Sequence, residues 1–216
     1  MTMTRVALPD VAFRGWPAEA IEFYEGLEAD NSKSYWTAHK AEYEQLVRQP
    51  MQLLLAELAP EFGEGRIFRP YRDVRFSADK SPYKTTIAAS LATGGYIQLS
   101  ADGLGAGCGM YMLDPEQLDR YRWAVVDDRR GAELAKIVRA TARRGIEVTA
   151  HETLKTAPRG YPKDHPRAEL LRHKGLVTWK RWPVGSWLGT SQPKKRVVDF
   201  LRASAPLNEW LASHVA

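Results

Sequence analysis

The sequence contains a single cysteine, Cys108, among 216 residues. No disulfide can therefore form within the chain, and nothing indicates an oxidising compartment. Long apolar runs are also missing. No stretch approaches the roughly 18 apolar residues of a transmembrane helix, and residues 1–16 lack the apolar core of a signal peptide. We therefore expect a cytoplasmic protein that makes no membrane contact.

Metal-ligand spacing is likewise absent from the sequence. The five histidines are scattered along the chain, and one cysteine cannot complete a zinc site. We therefore expect neither a metal ion nor a cofactor.

Patterns typical of catalytic nucleophiles or dinucleotide loops lack their usual context. Ser77 and Lys80 have the Ser-x-x-Lys spacing of penicillin-binding proteins, but Pro82 follows where that motif needs a helix. The glycine-rich residues 105–109 continue as a strand, whereas a dinucleotide-binding loop opens a helix. Glycines in a strand mark a close approach, and here we expect a neighbouring helix to approach them.

The composition is that of a globular, moderately basic protein. Hydrophobic residues make up 44% and charged residues 26% of the chain, and the net charge is +5. A basic protein favours acidic partners such as nucleic acid or phosphorylated metabolites. An excess of this size is equally typical of a solvated basic surface.

Apolar residues recur at helical spacing after Pro17 and alternate with polar residues after Gly65. Pro50 and Pro206 are expected to interrupt the helices in which they lie. We predict an α+β fold, in which an antiparallel or mixed sheet of about five to six strands is flanked by N-terminal and C-terminal helices. No repeat or long linker divides the chain, so residues 1–216 are predicted to form a single domain. Its predicted parts are a lead-in at 1–15, helices at 16–60, a strand meander at 66–113, helices at 114–145, and a loop, a strand and terminal helices at 146–216.

Seven tryptophans are a high number for this length. Trp36, Trp123 and Trp210 lie on apolar helix faces, so we expect them in the core and not on a base-stacking surface. A second group combines tryptophans with cations in a way that can stack bases and bind phosphates, although its alternation also fits an ordinary strand. This group consists of Trp179, Lys180, Arg181, Trp182 and Trp187.

Residues 66–85, which read RIFRPYRDVRFSADKSPYKT, carry most of the net charge. Six Lys or Arg and two Asp give this charged stretch +4, against +5 for the whole chain. Aromatic side chains lie between the charges and can attach the stretch to a core. These are Phe68, Tyr71, Phe76 and Tyr83.

We predict a half-buried strand from Tyr71 to Ser77, followed by a loop over residues 77–83. Cations that converge near a hydroxyl form a receptor for a phosphate or carboxylate. The alternative is an Arg–Asp network that ties the sheet to a helix. The predicted ligand-binding residues are Arg72, Asp73, Arg75, Ser77, Lys80, Tyr83 and Lys84, and the weaker candidates for an acid or base are Asp79 and Tyr83.

The same stretch carries a longer pattern, Tyr71-Arg72-Asp73-Val74-Arg75-Phe76-Ser77-x-Asp79-Lys80-x-Pro82-Tyr83-Lys84. Residues 30–36 with Lys40, residues 107–111 and residues 154–174 add shorter patterns. Together they resemble the family known as domain of unknown function 2461. Ser32 and Cys108 depart from the usual family pattern, outside the charged stretch. The resemblance covers nearly the whole chain; it strengthens the fold prediction and implies no particular activity.

The sequence therefore favours a basic pocket for a phosphate-bearing or carboxylate-bearing small ligand, with no reaction assigned. Two other classes stay open. One is a nucleic-acid-associated module that uses both basic-aromatic groups. The other is a scaffold or oligomerisation domain in which the charged stretch is internal framework.

Overall fold

A computed structural model of the protein describes residues 12–75 and 77–216. Most of the predicted lead-in, and Phe76, lie outside these residues. The described chain divides into two compact units. The first comprises the described residues up to Thr93, Ile97–Leu104 and Trp182–Val197; the second comprises Gly94–Tyr96, Gly105–Arg181 and Val198–Ala216. The single domain stays a prediction.

Helices and strands alternate in blocks along the chain. The helices are α1 (Glu19–Ala29), α2 (Lys33–Glu42), a π-helical segment (Tyr43–Arg48), α3 (Gln49–Phe62), α4 (Pro115–Val126), α5 (Asp128–Ala142), α6 (Ala168–Leu171), a 3-10 turn (Ser186–Gly189) and α7 (Gln192–His214). The strands are β1 (Gly65–Ile67), β2 (Thr86–Leu91), β3 (Gly95–Ser100), β4 (Gly103–Met110), β5 (Glu147–Thr149) and β6 (Leu176–Trp182).

Six strands of the described chain form one antiparallel sheet in the order β1-β2-β3-β4-β6-β5. Strands β1 to β4 are therefore a meander, although β1 at Gly65–Ile67 is not the strand that was predicted at Tyr71–Ser77. In the β1–β2 pair, Gly65 lies opposite Leu91, and in the β5–β6 pair Glu147 lies opposite Trp179. The predicted α+β fold is confirmed. No helix among the described residues is both long and apolar enough to cross a membrane.

In the first unit, local sequence explains where the helices begin. The apolar face of α1, which includes Ile21, Tyr24 and Leu27, is buried.

Ser32 caps the start of α2, because its hydroxyl accepts a hydrogen bond from the Tyr35 N–H at 3.1 Å. A serine at this position satisfies one of the N–H groups that a helix start leaves without a partner.

The predicted interruption at Pro50 is wrong, because the chain stays helical from α2 to α3. The π-helical segment uses wider turns, as in the hydrogen bond from the Gln49 N–H to the Glu44 carbonyl. Pro50 then lies in the first turn of α3, where its missing N–H is best tolerated. The helix ends at Gly63, whose φ of 75° suits glycine.

The second unit has its own buried core, formed by α4, α5 and the later part of α7 with β6. A capping box between Asp114 and Gln117 starts α4. The predicted break at Pro206 is wrong, because α7 continues through it. The proline costs a helix about 3 kcal/mol. Burial of Leu207 and Trp210 in this core stabilises by about 2 kcal/mol each, which outweighs that cost.

Two further predictions can be compared with the structure. At Gly107 the close approach comes from β6, since a Cβ there would lie 3.0 Å from the Trp179 ring, while Asn208 of α7 donates to the neighbouring Cys108 sulfur at 2.8 Å. Trp123 is 63% exposed instead of buried, and the Arg130 guanidinium lies 5.6 Å from its ring centre. Trp36 and Trp210 are buried as predicted.

Candidate functional site

The predicted strand from Tyr71 to Ser77 is wrong, and an isolated antiparallel bridge between Tyr71 and Tyr83 stands in its place. The Lys84 N–H donates to the Pro70 carbonyl at 2.7 Å, and the Arg72 N–H donates to the Pro82 carbonyl at 2.9 Å. The chain between these two ends is a loop, which includes the predicted loop over 77–83. The bridge therefore fixes the two ends of the charged stretch to each other.

Asn31, which precedes α2, holds the second side of this bridge. Its side-chain oxygen accepts from the Tyr83 N–H at 3.0 Å, and its side-chain NH₂ donates to the Tyr83 carbonyl at 3.1 Å. The Trp36 ring stacks on the Tyr83 ring, with centres 4.5 Å apart and planes 9° from parallel. The two segments, 52 residues apart in sequence at Asn31 and Tyr83, thus form one structure. The sequence reasoning missed the role of Asn31.

The two arginines of the loop, Arg72 and Arg75, are paired with carboxylates of the same loop. Arg72 donates to Asp79, and the Arg75 guanidinium donates two hydrogen bonds to Asp73, at 2.7 and 2.9 Å. The Lys80 ammonium donates to a backbone carbonyl, that of Val74, at 3.0 Å. These charges lie at the surface, because the side chains of Arg75 and Asp79 are 75% and 55% exposed.

Hydrogen bonds from the Ser81 hydroxyl and N–H, followed by that of Arg72, hold the pKa of Asp79 well below its usual range. Asp79 is therefore ionised at neutral pH and has no proton to give. Burial raises the pKa of Tyr83, so its phenol stays protonated. Neither environment is that of a base or acid adjusted to work near neutral pH.

An open cleft of about 620 Å³ lies beside the bridge, within the first unit. One wall comes from α2 and the π-helical segment, and the other from residues 66–71 with Lys84. The volume is in the range of small-molecule sites. The cations that line this basic cleft are Lys40, Arg48, Arg66, Arg69 and Lys84, and its aromatic side chains are Trp36, Tyr43, Phe68 and Tyr71.

One carboxylate, Glu44, faces these five cations among the described lining residues. Glu44 pairs with Arg48 at 2.8 Å. The other four cations form no direct ion pair in the part of the chain that the structure describes, although the charge of Arg69 contributes to the lowered pKa of Asp73. Arg66, Arg69 and Lys40 are exposed, and the Lys84 ammonium lies 5.8 Å from the centre of the Phe68 ring. The basic cleft therefore carries a local excess of positive charge.

Of the predicted ligand-binding residues, Lys84 lines the basic cleft, and the others are not among its described lining residues. Arg66 and Arg69 belong to the charged stretch but were not selected. Lys40 and Arg48 were also missed. The sequence signal for these two residues was the spacing of Lys40, Glu44 and Arg48, since residues four apart lie on the same face of a helix.

The inner wall of the basic cleft is aromatic and mostly buried. Trp36 is 5% exposed, and its buried indole N–H has no hydrogen-bond partner among the described residues. Burial raises the pKa of Tyr43 to about 12, so this residue is a neutral phenol. The inner wall is thus aromatic and uncharged beside the cations.

The second basic-aromatic group differs from the first. The Lys180 ammonium donates to the Arg144 carbonyl at 3.0 Å, and Trp182 is buried. Trp187 lies 4.1 Å from the guanidinium of Arg196. Within the described residues no group of three or more His, Cys, Asp or Glu is placed to hold a metal ion.

The family described as "Conserved hypothetical protein (DUF2461)" matches residues 19–210. The chain belongs to the DUF2461 family. This confirms the resemblance found in the sequence. The match includes both segments that meet at the bridge, Asn31–Trp36 and the charged stretch. Searches of curated proteins and of solved structures found no match.

Proposed function

We propose that this DUF2461 protein binds an anionic small ligand, one that carries a phosphate or a carboxylate, in the basic cleft. The observation that supports this most is the charge of the lining: five cations and one carboxylate around about 620 Å³. Like charges gathered at one cleft repel one another, and a bound anion relieves that repulsion.

Each cation has a distinct part in this proposal. Arg66 and Arg69 present planar guanidinium groups, which bind phosphate or carboxylate oxygens in pairs. Lys40 and Lys84 supply compact charges from the opposite wall and from the bridge. Arg48 is held by Glu44 and contributes mainly by its position.

The paired loop charges have a supporting part. The ion pairs of Arg72 and Arg75 lie on the loop that the bridge closes. By giving the loop one conformation they set the position of Lys84. In this proposal Arg72, Asp73, Arg75, Ser77 and Lys80 position the site and do not touch the ligand.

No reaction is proposed. Glu44, the carboxylate of the described lining, is already paired with Arg48. Asp79 and Tyr83 are not among the described lining residues.

Isothermal titration calorimetry with pyrophosphate and with citrate tests the proposal. Loss of one charge-assisted contact in Arg66→Ala or Arg69→Ala is expected to weaken binding by about tenfold to a hundredfold. Arg159→Ala is the matched control, because it removes the same charge from an exposed position in the second unit and should leave affinity within about twofold. Absence of binding at millimolar anion, or an equal loss in the control, would refute the proposal.

A nucleic-acid surface is the second candidate, and salt separates the two. A surface that follows a phosphate backbone loses affinity by orders of magnitude between low and moderate salt. A cleft that closes on one anion loses much less. The buried Trp182 and the hydrogen-bonded Lys180 make the second basic-aromatic group a weak base-stacking surface, so the small ligand is favoured.

A further inference from the structure

Exposed aromatic rings at the mouth of the basic cleft narrow the class of ligand. Six large hydrophobic side chains are exposed in the described chain, and two of them, Phe68 and Tyr71, line this cleft. Their exposed fractions are 39% and 48%. They stand on either side of Arg69, which is also exposed. Apolar rings and a guanidinium are thus presented together.

Resting on the proposed function, we propose that the anion is part of a nucleotide, whose base stacks against Tyr71 and Phe68 while its phosphate meets Arg66, Arg69 and Lys84. Bases stack readily on aromatic side chains because every base has a π-face. A sugar phosphate or a small dicarboxylate has no such face and leaves the exposed part of both rings uncovered.

The Tyr71 ring is already ordered by its neighbours in a position where a base can stack on it. Its centre lies 5.6 Å from that of Tyr83 and 6.2 Å from that of Trp36, two rings that are themselves stacked and buried. The backbone on either side of Tyr71 is fixed by the hydrogen bonds of the bridge. A ring that is already ordered loses little conformational entropy when a base covers it.

Charge and ring also lie close together. The Lys84 ammonium lies over the Phe68 ring, 5.8 Å from its centre, so a nucleotide whose phosphate meets Lys84 has its base beside the exposed rings. The cleft volume of about 620 Å³ is that of a site for one small molecule. We therefore infer a mononucleotide and not a polymer.

Adenosine monophosphate and ribose 5-phosphate form the test pair, because they share the sugar phosphate and differ by the base. Calorimetry should give a dissociation constant about tenfold lower for the nucleotide. In Phe68→Leu and Tyr71→Leu this preference should fall toward one, while the affinity for ribose 5-phosphate stays within about twofold. Tyr111→Leu is the matched control; Tyr111 is another exposed tyrosine, at 59%, and should keep the full preference.

The outcomes separate this inference from the proposed function. Equal binding of the two ligands overturns the nucleotide and leaves the anion site standing. Failure of both ligands together with pyrophosphate overturns both. A ten-residue oligodeoxyadenylate that binds far more tightly than the mononucleotide, with a steep loss in salt, also overturns the mononucleotide.

Discussion

Replacement of Asn31 by alanine is expected to loosen the charged stretch by removing the side chain that holds Tyr83. The change deletes two hydrogen bonds, at 3.0 and 3.1 Å, between the amide and both backbone groups of Tyr83. Each such bond contributes about 1 kcal/mol net, and a buried group left unpaired costs more than that. The bonds are partly buried, so water replaces some of the loss. We therefore expect the free energy of unfolding to fall by about 2 kcal/mol.

Amide hydrogen exchange locates this loss, and urea unfolding measures its size. A loss of about 2 kcal/mol corresponds to exchange roughly 30-fold faster at Tyr83. The Lys84 N–H, bonded to the Pro70 carbonyl in the same bridge, should accelerate with it. Pyrophosphate affinity should fall as well, since Lys84 then loses its fixed position.

Ser34→Ala is the neighbouring control, because Ser34 makes an exposed hydrogen bond to Ser32. It should change stability by less than about 0.5 kcal/mol. If Asn31→Ala behaves like this control, and the Tyr83 amide exchanges at its original rate, then Asn31 does not hold the bridge.

Three other changes have definite expected results. The lowered pKa of Asp79 means that its ionised carboxylate stabilises the folded loop at pH values above the ordinary pKa of a carboxyl, and that this stabilisation is lost as the pH falls through the lowered pKa. Ser81→Ala should therefore raise the pKa of Asp79 in a carbon-13 NMR titration. An unchanged pKa would contradict the hydrogen bonds of Ser81. Burial raises the pKa of Cys108 to about 11. Ellman's reagent at pH 8 should therefore detect no reactive thiol in the native protein and one thiol after unfolding in guanidinium. Rapid reaction of the native protein with the reagent would contradict the burial of Cys108. The side chain of Arg167 is 13% exposed and donates to the carbonyls of Val125 and Val126 at 2.6 and 3.1 Å. Arg167→Met should therefore lower the free energy of unfolding, measured in urea, by about 3 kcal/mol. A loss below about 1 kcal/mol would show that these hydrogen bonds contribute little.

Local sequence was sufficient for most of the fold. Ser32 and Asp114 cap helices because their short side chains reach the free N–H groups of the next turn. The change of hydrophobic period after Gly65 indicated a change from helices to strands, which β2 to β4 follow. Each of these signals depends on residues within a few positions of one another.

The prolines show where prediction of helix ends from local sequence fails. Pro50 and Pro206 each predicted a helix break, yet both lie within continuous helical segments. At Pro50 a π-helical segment precedes the proline, and at Pro206 the buried face that follows it outweighs the lost bond. Whether a helix tolerates a proline depends on what the buried face of the helix packs against, and a short stretch of sequence does not contain that information.

The residues that line the basic cleft overlap only in part with those that the sequence singles out, for a related reason. The charged stretch supplies Arg66, Arg69 and Lys84 to the lining, and of these the sequence singles out Lys84. Arg72 and Arg75 are singled out because alternation predicts a strand, whereas the structure pairs each of them with a carboxylate of its own loop.

By itself the sequence determined the α+β class, the excess of positive charge in residues 66–85 and the family. The tertiary structure alone decided which other side chains face those charges, because the contact of Asn31 and Trp36 with Tyr83 joins segments more than 40 residues apart. Contacts at that separation follow from the packing of the whole chain, and no local pattern of side chains encodes them.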